Sequence, residues 1–134
     1  MSAAFPTAES MVNRTRYPID APESEAGAGL LLACRNEFET GGLCVLPGFI
    51  LPDALAALAD EANGVLEDAY FCDSTHNAYL TDADPDLPAE DVTQRQEATF
   101  VGSVAYDHLS ADGLLKQLYL WDLLRNFIGS VLGK

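Results

Sequence analysis

Apolar residues recur at helical spacing in several stretches of this chain. Leu30, Leu31, Cys34 and Phe38 fall on one face of a 3.6-residue period, predicting a helix over residues 23–39. Ser24 stands where an N-cap acceptor belongs. Gly41-Gly42 supplies the left-handed conformation that ends a helix. Residues 43–46, Leu-Cys-Val-Leu, are short, apolar and partly β-branched, and predict a buried strand closed by Pro47-Gly48. A second helix is expected over 52–67. Pro52 suits its first turn, Asp53 complements its N-terminal dipole, and Leu55, Leu58, Ala62, Val65 and Leu66 make its buried stripe.

The pattern is weaker elsewhere. Pro6, Pro18 and Pro22 break any helix in residues 1–22, which read as a flexible arm ordered only against other protein. Residues 77–80 predict a short strand. Residues 81–96 are acidic, contain Pro85 and Pro88, and predict a loop, and 99–106 return to strand-like residues. Ser110 is the expected cap of a helix carrying Leu114, Leu115, Leu118 and Tyr119. Asp122 begins another, carrying Leu123, Leu124, Phe127, Ile128, Val131 and Leu132. Each large apolar side chain is worth about 1.5–3 kcal/mol on burial. So wide a stripe is expected to pack on a sheet not encoded here rather than on the preceding helices alone. The fold class is α+β, with an arm over 1–22 and one helix-and-strand module over 23–134.

Charge narrows the partners. Against 7 bases stand 21 acids, a net charge of −14. Such a surface repels phosphate backbones and anionic lipid, which argues against nucleic acid and membrane. No apolar run approaches the roughly 18 residues that span a bilayer, and the N-terminus lacks a signal-peptide core. The three cysteines, Cys34, Cys44 and Cys72, are widely spaced and form no CxxC, as expected of free thiols in a reducing cytoplasm.

Catalytic motifs are scarce. A non-haem iron site takes two imidazoles and a carboxylate, usually as His-x-Asp or His-x-Glu with a distant His. His76 is followed by Asn77-Ala78 and His108 by Leu109-Ser110, so neither fits. Asp82-x-Asp84-x-Asp86 begins like a calcium loop, but Leu87 occupies the glycine position and Thr93 the glutamate position. No nucleophile elbow or phosphate-binding loop is present. No catalytic or metal residue is therefore assigned. The densest polar and aromatic stretch, residues 72–80, reads either as a substrate-channel segment or as a turn leading into a strand, capped by Asp73 or Ser74.

The run from Phe38 through Gly41-Gly42-Leu43-Cys44-Val45-Leu46-Pro47-Gly48-Phe49 to Pro52-Asp53 resembles the N-terminal module of iron(II)- and 2-oxoglutarate-dependent oxygenases, in the phytanoyl-CoA dioxygenase-like branch. Ser74-Thr75-His76-Asn77-Ala78-Tyr79-Leu80 and Leu118-Tyr119-Leu120-Trp121-Asp122-Leu123 sharpen the likeness toward the free amino-acid radical halogenases and their hydroxylating relatives. The resemblance covers roughly residues 30–134. It implies the helix-rich opening part of a double-stranded β-helix (cupin-like) oxygenase whose barrel core is incomplete in this chain. It also implies iron(II) and 2-oxoglutarate in the assembled enzyme, neither bound by this chain alone. The family's metal ligands and 2-oxoglutarate arginine lie downstream of the position matching Lys134, so none carries over.

Two readings follow. In the first, the chain is the scaffold half of an oxygenase or halogenase acting on a free amino acid, a basic one being attractive given the acidic balance. It would be inactive without a C-terminal partner, in effect a heterodimer, bearing His-x-Asp or His-x-Gly. His76, Asn77 and Tyr79 would then lie near substrate, and Trp121, Leu124, Phe127, Ile128 and Val131 would form the partner interface. In the second, the chain is a small acidic binding or regulatory protein without catalysis.

Overall fold

A computed structural model describes residues 7–134. The described chain is mixed α+β, with four α-helices and one two-stranded antiparallel sheet. It divides into two compact units. The first is built from the chain up to Gly64 together with Leu109–Lys134, and the second from Val65–His108.

In the first unit, α1 spans Glu25–Gly41. The Ser24 hydroxyl accepts from the Gly27 amide at 3.0 Å, the expected N-cap. Gly42 closes the helix at φ +70°, its N–H donating to the Phe38 carbonyl at 2.7 Å. Gly27 is buried against Ala21, and a Cβ there would overlap the Ala21 carbonyl. Helix α2 spans Pro52–Gly64. Its buried positions are Ala54 and Leu58, whereas Leu55 and Leu66 are exposed. The inward face is thus offset from the stripe expected around Leu55. The residues covering the helix come from the N-terminal segment and from α3, which spans Leu114–Leu120.

That segment corrects the expectation of a free arm. Residues 1–6 lie outside the described residues, but from Thr7 onward the chain is structured. A 3-10 turn spans Ala8–Met11, and Met11, Val12, Tyr17 and Ile19 are all buried. Met11 packs with Ala8, Ala54 and Leu58, flanked by Leu114, Leu115, Leu118 and Trp121. The prolines forbid a helix here but not packing: Val12 pairs with Ile50 as an antiparallel bridge, and the Tyr17 hydroxyl donates to the Pro47 carbonyl at 2.7 Å. Tyr17 also lies against Phe49, ring centroids 5.7 Å apart, so the arm holds the Pro47-Gly48 turn that launches α2.

Helix α3 is not capped by Ser110. Gly113 is its N-cap residue, and the acceptor arrives from α2. Glu61 Oε2 takes the Leu114 N–H at 2.6 Å and the Leu115 N–H at 3.3 Å. Helix α4 spans Asp122–Val131 and is tied to α1 by Arg35, whose Nε donates to the Ser130 carbonyl at 2.7 Å. The expected strand at 43–46 is not formed. Leu43 and Val45 are exposed, and no described strand lies alongside.

The second unit is a hairpin with a long connection. Strand β1 spans Tyr70–His76 and β2 spans Glu97–Ser103, with Tyr70 opposite Ser103 and His76 opposite Glu97. The expected strand at 77–80 is instead a turn. The second strand starts earlier and ends earlier than the predicted 99–106. Tyr70, Phe71, Phe100 and Val101 are exposed, with the Phe71 and Phe100 rings stacked at 6.3 Å. An isolated two-stranded sheet is marginal in water, so its connection must contribute to holding it.

Candidate functional site

Two places carry the residues singled out by sequence. The first is the turn after β1. Asn77 is 1% exposed, the only buried polar residue among those described. Its Nδ2 donates to Thr81 Oγ1 and to the Thr93 carbonyl, both at 2.8 Å. Its Oδ1 accepts from the Tyr79 N–H at 2.9 Å and the Thr81 N–H at 3.1 Å. All four hydrogen-bonding positions of the amide are therefore filled. This grip drives Leu80 to φ +58°, the left-handed region that a leucine seldom enters. Asn77 is thus a pin holding the turn to the far end of the acidic connection, and it has no valence left for a ligand.

His76 is similarly engaged. Its Nδ1 lies 3.1 Å from the Asn77 carbonyl and its Nε2 3.0 Å from Thr99 Oγ1. A carbonyl only accepts, so Nδ1 carries a proton, and in the Nδ1–H tautomer Nε2 accepts from the Thr99 hydroxyl. Tyr79 is exposed. The structure brings His76 and Asn77 into one hydrogen-bonded corner, with the Tyr79 ring exposed beside it. Thr81, Thr93 and Thr99 complete the corner and were not anticipated. The Asn-x-x-x-Thr spacing is the signal that could have found the first of them. Beyond this turn, the Asp91 carboxylate accepts from the Thr93 hydroxyl at 2.6 Å and the Thr93 N–H at 2.9 Å, which hold it below the usual carboxylate range.

The second place is the apolar face of α4. Trp121 belongs to the core with Met11 and Leu58 rather than to an outer surface. Leu124, Phe127 and Val131 are half-buried and Ile128 is exposed. Phe127, Ile128 and Val131 line a groove of about 360 Å³ with Cys34, Phe38 and Leu43. Cys44 and Leu46 also reach it. The Cys44 thiol is pushed up to about 12, first by burial and then by the Cys34 thiol and Glu37 carboxylate beside it. The groove is thus apolar and its Cys44 thiol is held protonated, which makes it a surface for packing and not for nucleophilic chemistry at Cys44.

Among the described residues, no three His, Cys, Asp or Glu side chains converge as metal ligands. His76 is committed on both ring nitrogens, and His108 faces Asp68 at 3.6 Å. This donor set does not fit a two-histidine, one-carboxylate iron centre. No helix among the described residues is long and apolar enough to cross a membrane. Compared with protein-family models, with curated proteins and with solved structures, the chain finds no match in any of the three.

Proposed function

We propose that this chain is the scaffold half of a non-haem iron(II)/2-oxoglutarate-dependent oxygenase or halogenase acting on a free amino acid, a basic one best matching the net charge of −14. A C-terminal partner would supply the iron ligands and the remainder of a double-stranded β-helix. The observation that carries this reading is the balance of apolar surface. The small buried core centres on Met11, Ala54 and Leu58. Large side chains including Leu43, Val45, Phe71, Phe100 and Ile128 stay exposed in both units. A self-sufficient regulatory module of this size would be expected to hide such residues. The order α1, Gly41-Gly42, an apolar run, Pro47-Gly48 and α2 follows the arrangement on which the resemblance rests. The half-enzyme would contribute backing helices and the Tyr79 corner, and no catalytic group.

The test is the mass and metal content of the native species, by size exclusion with light scattering and then denaturing mass spectrometry. Co-purification with a second chain that brings iron is the expected result. A metal-free, cooperatively unfolding monomer would overturn the reading in favour of an acidic binding module.

A further inference from the structure

The arm, α1 and α4 surround a second cavity, of about 170 Å³, wholly within the first unit. Pro18, Ile19 and Pro22 of the arm, Leu31 of α1, and Leu123 and Phe127 of α4 supply its apolar walls. Those walls are tied together by the chain itself. The Ala21 carbonyl accepts from the Ser24 hydroxyl at 2.7 Å and from the Ser24 N–H at 3.0 Å, and the Ala21 N–H donates to the Pro18 carbonyl at 3.2 Å. Glycine at 27 lets this corner lie directly on α1. The bond from Arg35 Nε to the Ser130 carbonyl fastens α1 to α4. The cavity is therefore preformed, and little ordering entropy opposes a ligand. Asn126 and Ser130 are the polar side chains of its lining, and they stand one turn apart on α4. Arg35 takes the Ser130 main-chain carbonyl and not its hydroxyl. The lining is thus apolar on the arm and α1 sides, with one polar edge on α4.

We propose that this cavity binds a neutral, single-ring aromatic alcohol, phenol being the simplest, with its ring against Leu31, Leu123 and Phe127 and its hydroxyl on Asn126 and Ser130. Volume sets the size of the ligand: an apolar cavity of roughly 150 Å³ lined by Leu, Ile and Phe takes up benzene. An aromatic ring also gains face or edge contact with Phe127. The Asn126 amide and the Ser130 hydroxyl each donate and accept, as an alcohol does. An ammonium or a carboxylate would lose its hydration between the apolar walls. The net charge of −14 opposes a carboxylate further. Because Pro18, Ile19 and Pro22 form one wall, an occupant braces the arm against α1 and α4. The site is separate from the groove at Phe38 and Leu43, although Phe127 contributes to both, and it does not depend on the half-enzyme reading.

The probe is phenol, titrated into the 15N-labelled chain, with benzene and benzoate for comparison. Phenol is expected to shift the amides of 18–31 and 123–130 saturably, with a Kd on the order of 1 mM. At ten times Kd it should slow exchange of the Ile19 N–H, which donates to the Tyr17 carbonyl at 2.8 Å, by about tenfold. Leu123→Trp sets an indole in the cavity and should weaken phenol at least about tenfold. Asn126→Ala combined with Ser130→Ala strips the polar edge and keeps the main-chain carbonyl that Arg35 uses. That double variant should weaken phenol about fivefold and leave benzene unchanged. Should Leu123→Trp fail to fold, the double variant decides, since Asn126 is exposed. Shifts that do not saturate, that centre on Phe38 and Leu43, or that persist undiminished in Leu123→Trp overturn the site. Unchanged phenol affinity in the double variant, or benzoate binding as tightly as phenol, overturns the ligand class.

Discussion

Removing the Glu61 carboxylate tests how the first unit holds its two chain segments together. Glu61 sits on α2, and its Oε2 receives the first two amides of α3, at 2.6 and 3.3 Å, across 53 residues of sequence. The shorter bond is charge-assisted, a kind worth about 1.5–3 kcal/mol, and the longer one adds little. Glu61 Oε1 is buried without a hydrogen-bond partner, a cost that offsets part of the gain. Glu61→Ala should therefore lose about 2 kcal/mol, or about 8 °C in Tm. Glu61→Gln keeps an acceptor without the charge and should lose about half as much. A Cβ at Gly113 would overlap the same carboxylate, so Gly113→Ala should displace the cap and cost about as much as Glu61→Ala. The double variant should then fall well short of the sum of the singles, with coupling above about 1 kcal/mol. Urea unfolding followed by far-UV circular dichroism measures the four variants against the unaltered chain. A loss under about 0.5 kcal/mol for Glu61→Ala, or strict additivity, would refute the inter-helix cap.

Other consequences are open to simpler assays. Asn77→Ala leaves two amides, a carbonyl and a hydroxyl unmatched, and should destabilise the second unit by about 3 kcal/mol, seen as lost amide protection across 77–99. Gly27→Ala forces a Cβ into the Ala21 carbonyl and should cost about 1–3 kcal/mol by thermal melting, whereas Gly29→Ala meets nothing and should be neutral or stabilising. The folded pKa of Cys44 is raised, so its stabilising contribution is complete below pH 9 and is lost as pH climbs toward 12. Cys44→Ser should flatten that alkaline decline, and Cys44 should react slowly with a thiol reagent at pH 7.5. Asp91 has the opposite sign: its contribution is present above the ordinary carboxylate pKa and fades as pH falls through the depressed folded value. Thr93→Ala should move the Asp91 carboxyl titration upward in NMR.

Locally encoded features were legible in the sequence. Ser24 and Gly42 bound α1 because caps depend on residues a turn away. Asp122 is the first residue of α4, where a carboxylate complements the positive end of the helix dipole. Features set by distant partners were not. Nothing near Glu61 in sequence foretells its bond to Leu114, 53 residues on. Tyr70–His76 lacks the apolar alternation that marks a half-buried strand, because its Tyr70 and Phe71 remain uncovered. The arm's prolines suggested disorder, yet Met11 and Tyr17 needed only irregular chain to reach the core. At the candidate site, the polar density of 72–80 was visible. That Asn77 spends its whole amide on the turn was not, because three of its four bonds depend on Thr81 and Thr93 being folded back onto it.

The bond between Glu61 and Leu114 also sets a timetable for synthesis. At about 5–20 residues per second, the ribosome needs about 3–10 s to add the 53 residues between them. Throughout that interval, Ala54 and Leu58 have emerged without Leu114, Leu115 and Leu118 to cover them. A nascent chain arrested within the hairpin should be protease-sensitive around α2 and attractive to chaperones. One arrested beyond Leu118, with its linker clear of the exit tunnel, should be resistant. The first unit thus folds around an excursion that must be completed before its own core can close.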